Sequence, residues 1–218
     1  MSANTRSPKT HLTGKTLSSM AQKRAIRPPT GGELKIIGGT WRSRKLRFPD
    51  AGGVRPTPAR TRETLFNWLA NEVPGSHCLD LFSGSGALGL EALSRSAASA
   101  TLVEHNRTLA DALRQNLALL NSQDGQVVCQ CAEQFLARPA TRSFDIIFMD
   151  PPFRKGWLEH LLQLIVEHGW VAPGGCVYAE YESERASPVA PAGWQLHREK
   201  SAGQVTYCLF RTGTKNPA

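Results

Sequence analysis

Cys78-Leu79-Asp80-Leu81-Phe82 runs without a break into Ser83-Gly84-Ser85-Gly86-Ala87-Leu88-Gly89 and then Leu90-Glu91-Ala92-Leu93. A short apolar run closed by glycines and followed by a helix-forming run predicts a strand over 78–82, a turn, and a helix over 87–95. Glycines let the backbone come close to a ligand, and the first turn of the helix presents N–H groups with no partner inside it. Gly84, Gly86 and Gly89 also satisfy the G-x-G-x-x-G spacing of nucleotide-binding folds. Glu104 ends the next predicted strand, 100–104, where a carboxylate accepts from ribose hydroxyls. The glycine spacing alone does not say which nucleoside is held.

Outward from this unit, strand and helix signals alternate. Helix 108–120, strand 126–130, a short helix 132–137, strand 144–150, helix 157–168 and a strand near 176–182 follow, and a strand pair near 194–198 and 204–211 ends the chain. Such alternation predicts an α/β fold, a doubly wound and mostly parallel sheet that binds ligands at the C-terminal ends of its strands. Asp80, Glu104, Cys131 and Asp150 all fall on that one edge.

The chemistry is carried by Asp150-Pro151-Pro152-Phe153, directly after the apolar run Phe144-Asp145-Ile146-Ile147-Phe148-Met149. Consecutive prolines remove two backbone donors and fix their own φ, which leaves the Pro151 carbonyl to accept from something other than protein backbone. Asp150 adds a second acceptor, and Phe153 a face on which a nucleobase stacks. Two acceptors aimed at an NH2 group in the plane of a stacked base describe a pocket for an exocyclic amine. Asp80 narrows the cofactor: a carboxylate ahead of the glycine turn repels a pyrophosphate and attracts the ammonium and sulfonium end of S-adenosylmethionine. A nicotinamide oxidoreductase, which shares the glycine spacing, is disfavoured by Asp80 and Asp150 together. The candidate catalytic residues are therefore Asp150, Pro151 and Phe153, and the candidate cofactor residues Asp80, Phe82, Gly84, Gly86, Glu104, His105 and Ala132.

The 218 residues, 40% of them hydrophobic, suffice for one core-forming domain with an appendage. Charge is uneven along the chain: fourteen Lys and Arg stand against two Asp and Glu through Arg62, whereas acids outnumber bases beyond it. This asymmetry predicts that the N-terminal part meets a polyanion. Residues 1–32 read as a flexible basic arm, because Ser, Thr, Lys, Arg, Pro and Gly leave too few large apolar side chains to order it. An organellar transit peptide is the other reading of such a start. From Leu34 to Phe48, two short strands around glycines predict a β-hairpin with basic and aromatic residues interleaved. Thr57-Pro58 reads as the N-cap and first residue of a helix carrying Leu65, Phe66, Trp68, Leu69 and Val73. Arg42, Arg44, Lys45, Arg47, Arg55, Arg60 and Arg62 are the candidate phosphate contacts, with Arg154 and Lys155 beside the pocket. Trp41 is expected to pack under the hairpin, and His197 to be structural. Five cysteines with no C-x-x-C pair read as thiols of a reducing compartment, with no metal site expected. No apolar run of membrane-spanning length is present, and the protein is expected to be cytoplasmic and a monomer.

The glycine motif, the acid ending the second strand and Asp150-Pro151-Pro152-Phe153, in this order, resemble the class I S-adenosylmethionine-dependent methyltransferases, in particular those acting on exocyclic amines. More narrowly, the blocks Ile36-Ile37-Gly38-Gly39-Thr40-Trp41-Arg42, Arg55-Pro56-Thr57, Arg62-Glu63-Thr64-Leu65-Phe66-Asn67-Trp68-Leu69 and the Asp80-to-Ala92 stretch resemble the bacterial 16S ribosomal RNA guanine-N2 methyltransferases of the RsmD family. His197-Arg198-Glu199-Lys200 with Gly203-Gln204-Val205 continues the likeness, which spans nearly the whole chain from about residue 33. The resemblance implies a seven-stranded sheet whose last strand runs antiparallel, S-adenosylmethionine as cofactor, and a guanine of 16S rRNA in the small ribosomal subunit or its assembly intermediate as target. The charge distribution and the element pattern divide the chain, after the arm, into a basic RNA-docking hairpin and helix over 33–73, a methyltransferase domain over 74–212 and a tail over 213–218. One departure stands out: Cys131-Ala132 occupies the third strand end, where the family usually has Asp or Asn to hold the adenine amine. A thiol accepts weakly, which shifts that task to backbone around Ala132. The rivals are an N6-adenine DNA methyltransferase, for whose target-recognition insertion this chain has no room, and a non-catalytic ribosome-binding factor.

Overall fold

The computed structural model describes Met1 and residues 31–51, 54–152 and 156–214. Strands β1 (Gly31–Lys35) and β2 (Lys45–Pro49) pair antiparallel. Along β2 the side chains alternate, Leu46 and Phe48 inward and Lys45 and Arg47 outward, as a half-buried strand requires. Helix α1 (Ala59–Trp68) follows. Its N-cap is Pro58, without a side-chain cap, one residue later than expected. Thr57 is buried, and its carbonyl accepts from Arg62 Nε at 3.0 Å.

The remaining elements alternate: β3 (His77–Asp80), α2 (Gly89–Ser94), β4 (Ser99–Glu104), α3 (Arg107–Leu119), β5 (Gly125–Cys129), α4 (Ala132–Leu136), β6 (Phe144–Met149), α5 (Trp157–Glu167), β7 (Val171–Glu182), β8 (Trp194–Ala202) and β9 (Val205–Thr212). Seven strands form one sheet in the order β5-β4-β3-β6-β7-β9-β8. β3 through β7 pair parallel, and β9 runs antiparallel between β7 and β8. The order reverses between β3 and β6, so Asp80 and Asp150 flank the switch point where such sheets bind ligands.

Each central strand feeds two cores. On one face Cys78, Ile146, Phe148 and Tyr178 pack with α1, α2, α3 and the hairpin. On the other, Leu79, Ile147, Met149 and Val177 pack with α4 and α5. Strand β7 starts five residues before the expected 176, because Pro173-Gly174-Gly175 hides the strand signal. A register shift between Phe144 and Ile146 on the neighbouring strand absorbs the irregularity.

The hairpin is fastened to the sheet unit by a buried carboxylate. Glu91 in α2 is 0% exposed and accepts from the backbone N–H of Ile37 and Gly38 and from Arg62 and Arg95. Arg62, expected at an RNA phosphate, is 3% exposed and gives its donors to Glu91, Thr57 and Lys35. That expectation is corrected here: burial on the hydrophobic side of α1 takes the guanidinium away from any phosphate. Trp41 is half-buried against the same core, and its backbone N–H donates to Ser94 Oγ at 2.9 Å.

Candidate active site

Asp80 ends β3 with 3% of its surface exposed, and its Oδ2 accepts from the Gly89 N–H at 2.9 Å. Burial pushes its carboxyl up to about 7, further raised by the nearby Asp150 and opposed by the Gly89 hydrogen bond. Glu104 ends β4 and is equally buried. Its Oε2 accepts from Gly84 N–H at 2.8 Å and its Oε1 from Asn106 N–H at 2.7 Å, with His105 Nδ1 at 3.1 Å. One carboxylate therefore braces both the glycine turn and the loop after β4. Oε2, with Gly84 as its one protein donor, keeps a second lone pair for a ligand.

The glycines divide by task. Gly84, at φ +48°, borders the cavity beneath Val54. Gly86, at φ +83°, is required by packing rather than by ligand approach: a Cβ there would lie 2.6 Å from Leu90 and 2.7 Å from Leu113. Asp150 is half-buried just beyond β6, and burial raises its pKa. Pro151 is buried and Pro152 exposed.

Asp80, Phe82, Gly84, Glu104, His105, Asp150 and Pro151 converge on one cavity of about 460 Å³, within the usual range for a small-molecule site. The cavity has carboxylates at the ends of β3, β4 and β6, an apolar wall at Ala87, Leu88 and Leu109, and the Phe82 ring, which packs 6.1 Å from the Trp157 ring. Size, ribose acceptors and a negative end for a cation fit S-adenosylmethionine. Ala132 is not on this wall: it is 4% exposed in the core beneath α4 and α5.

The chain matches the family model described as Conserved hypothetical protein 95 over residues 34–211. It is 52% identical to the ribosomal RNA small subunit methyltransferase D of Escherichia coli K12 over 180 residues, which cover 83% of this chain and 90% of that protein. The Haemophilus influenzae protein of the same name is 41% identical over 192 residues, 87% of this chain and 99% of the relative. The chain belongs to the ribosomal RNA small subunit methyltransferase D family. It is a methyltransferase and uses S-adenosylmethionine. The solved Escherichia coli yhhF structure, itself named only as a candidate methyltransferase, superposes with a TM-score of 0.79 at 49% identity, covering 84% of this chain and all of that one. A Salinibacter ruber RNA methyltransferase bound to S-adenosyl-L-homocysteine shares the fold alone, with a TM-score of 0.57 at 16% identity over 75% of this chain and 97% of that one.

Within this family member, the sequence reading missed part of the wall. Ala51, Val54, Arg55 and Thr57, from the segment joining β2 to α1, line the cavity, as does Asn106. Arg55 was expected at a phosphate, and it lies at the cavity that holds the carboxylates. The segment carries no periodic signal that assigns it to the site. Asn106 had one: it is the N-cap of α3, accepting from Thr108 and Leu109 N–H. Arg42, Arg44, Lys45, Arg47 and Arg60 are exposed. Arg44 donates to the Leu119 carbonyl at 3.0 Å, and Lys45 pairs with Glu33 at 2.9 Å. Phe153, Arg154 and Lys155 lie outside the described residues, as do most of the basic arm and the last residues of the tail. Cys131 is the N-cap of α4 without a side-chain bond, and His197 is exposed on β8.

Proposed function

We infer that the protein methylates the exocyclic N2 amine of a guanine in 16S rRNA, with Asp150 and the Pro151 carbonyl as amine acceptors and Phe153 as the stacking face. The observation that carries this reading is the sharing of one cavity by Asp150-Pro151 and by Asp80, Gly84 and Glu104. Amine acceptors and cofactor residues thus meet within one site. The names of the relatives, which specify ribosomal RNA of the small subunit, support the substrate class.

The guanine N2 lone pair is delocalised into the ring, so the amine is a poor nucleophile. Hydrogen bonds from its two N–H groups to Asp150 and to the Pro151 carbonyl turn that lone pair out of the ring plane. S-adenosylmethionine supplies the electrophilic methyl group. Glu104 holds the ribose, and Asp80 counters the positive charge near the glycine turn. Orientation and fixed charge carry most of the rate. Asp150 need not be a strong base, since the nitrogen becomes acidic only as it gains the methyl; the proton then leaves to this carboxylate or to water.

The partner in this reading is the small subunit or its assembly intermediate, met by a cytoplasmic monomer. Among the described residues no helix is long and apolar enough to cross a membrane. Exposed Arg42, Arg44, Lys45, Arg47 and Arg60 supply the phosphate contacts, with Arg154 and Lys155 beside the base. The test is transfer of labelled methyl from S-adenosylmethionine to unmethylated small subunits, free 16S rRNA and duplex DNA in parallel. Label on N2-methylguanine in either ribosomal substrate is the expected result. Label on adenine in DNA, or no transfer to any of the three, overturns the reading.

A further inference from the structure

Glu180 in β7 is 4% exposed. Its Oε1 accepts from the Tyr178 hydroxyl at 2.7 Å, and among the described residues no Lys, Arg or His lies within ion-pair distance of it. Its surroundings are aromatic: Phe148 stands 6.4 Å from Tyr178, and Tyr207 6.1 Å from Tyr178. An apolar residue would fill that space without the cost of burying a carboxyl.

Strand register says what it faces. β6 and β7 run parallel, with Phe148 beside Tyr178 and Met149 beside Ala179. The paired register ends there, at the last residue of β6; continued by one residue along the chain it carries Asp150 towards Glu180, whose carboxyl feels the Asp150 charge. Burial, and then the charge of Asp150, raise the Glu180 pKa against the opposing pull of the Tyr178 hydrogen bond; burial raises that of Asp150. Two carboxyls side by side in an apolar setting do not both ionise at neutral pH, and they titrate as a pair. The other groups around them are Asp80 at the end of β3, Tyr178 beside Glu180, and Tyr207 opposite it on β9. Helix α1 brings Phe66 and Trp68 to this face.

We propose that Glu180 is a positioning residue for methyl transfer: its carboxyl stays protonated and donates to Asp150, holding Asp150 as the ionised acceptor for the target amine. The Tyr178 hydroxyl occupies Oε1, so the proton sits on Oε2. This rests on Asp150 being the amine acceptor inferred above.

The test compares Glu180→Gln, Glu180→Met and Asp150→Ala in the full-length protein. Gln accepts from Tyr178 and donates to Asp150, so it retains turnover within several-fold. Met has similar volume but no donor; kcat falls about tenfold or more, with KM for RNA and affinity for S-adenosylhomocysteine unchanged. An infrared pH titration without substrate gives an independent readout. The parent keeps a protonated-carboxyl band through neutral pH that is missing in Glu180→Gln, while the band from Asp80 remains in both. Parent turnover in a folded Glu180→Met, a loss in Gln as deep as in Met, or an unchanged band in Gln overturns the proposal. Should Glu180→Met fail to fold, the Gln turnover and the band still decide. Full activity in Asp150→Ala would instead sink the amine-acceptor reading; an inactive Asp150→Ala beside a fully active Glu180→Met sinks only the role of Glu180.

Discussion

Glu104, the proposed ribose acceptor, also braces the protein's own turn, since its oxygens accept from Gly84 and Asn106. Glu104→Ala therefore removes ligand contacts and loosens the cradle. S-adenosylhomocysteine affinity should fall at least about tenfold, as expected for losing charge-assisted hydrogen bonds of roughly 1.5–3 kcal/mol each. Calorimetry that finds parent affinity in a folded variant removes Glu104 from the pocket. Asp150→Ala should cut kcat by orders of magnitude and leave that affinity within several-fold, whereas Asp150→Asn, which keeps an acceptor oxygen, should retain more activity than Ala. Asp80 makes a pH prediction. Its carboxyl is raised from the ordinary range to about 7 in the folded protein, so the folded state holds a proton that the unfolded chain has released. Its contribution to stability is therefore greatest in acid and is lost as pH rises through that window. Binding of the cationic cofactor follows the opposite sign and tightens as Asp80 ionises. Asp80→Asn keeps an acceptor for Gly89, so it should unfold at higher urea than the parent at pH 8 while binding S-adenosylmethionine more weakly. Urea titrations at pH 5 and pH 8 beside calorimetry check both.

The hairpin, α1 and α2 stand or fall together through Glu91, whose carboxylate takes two backbone donors and two guanidinium groups. Removing one partner from a buried ion pair leaves an uncompensated charge and costs about 3–5 kcal/mol. Arg62→Ala should show this loss in urea unfolding. Under conditions where the variant is folded, the salt dependence of its RNA binding should match the parent, because Arg62 faces no phosphate. Gly39 seals the same junction: at φ +73° its missing Cβ would lie 1.7 Å from the Ser94 carbonyl oxygen. This contact was not legible in Gly38-Gly39, which read only as a turn. The Cys78-to-Gly89 unit was legible because a strand, a glycine turn and a helix each have local signals. The segment between β2 and α1 had none, so its place on the cavity wall stayed hidden.

Over the whole molecule the basic N-terminal part and the acidic cavity are joined, since β2 carries the exposed Lys45 and Arg47 and the segment that follows it brings Arg55 to the cavity wall. RNA held by the hairpin would thus lie next to the site of chemistry. Changing Arg42, Arg44 and Lys45 together to Glu should weaken binding to small subunits and flatten its salt dependence, because fewer phosphate counterions are released. Cofactor affinity should persist. Binding measured across a salt series checks this; an unchanged slope and affinity would move the docking surface away from the hairpin.

By itself the sequence determined the alternating fold and the strand ends that bear Asp80, Glu104 and Asp150, and it is the source of the amine-binding role proposed for Asp-Pro-Pro-Phe. Local periodicity, turn residues and charge order carry these, and they survive without knowing what packs on what. Tertiary structure alone decided that Arg62 is a buried partner of Glu91, that Gly86 answers to Leu90 and Leu113, and that Ala132 faces the core. It alone set the β6–β7 register that carries Glu180 towards Asp150. Each of these depends on pairing between residues far apart in the chain, where strand register and burial assign a side chain's partner and no local pattern records it.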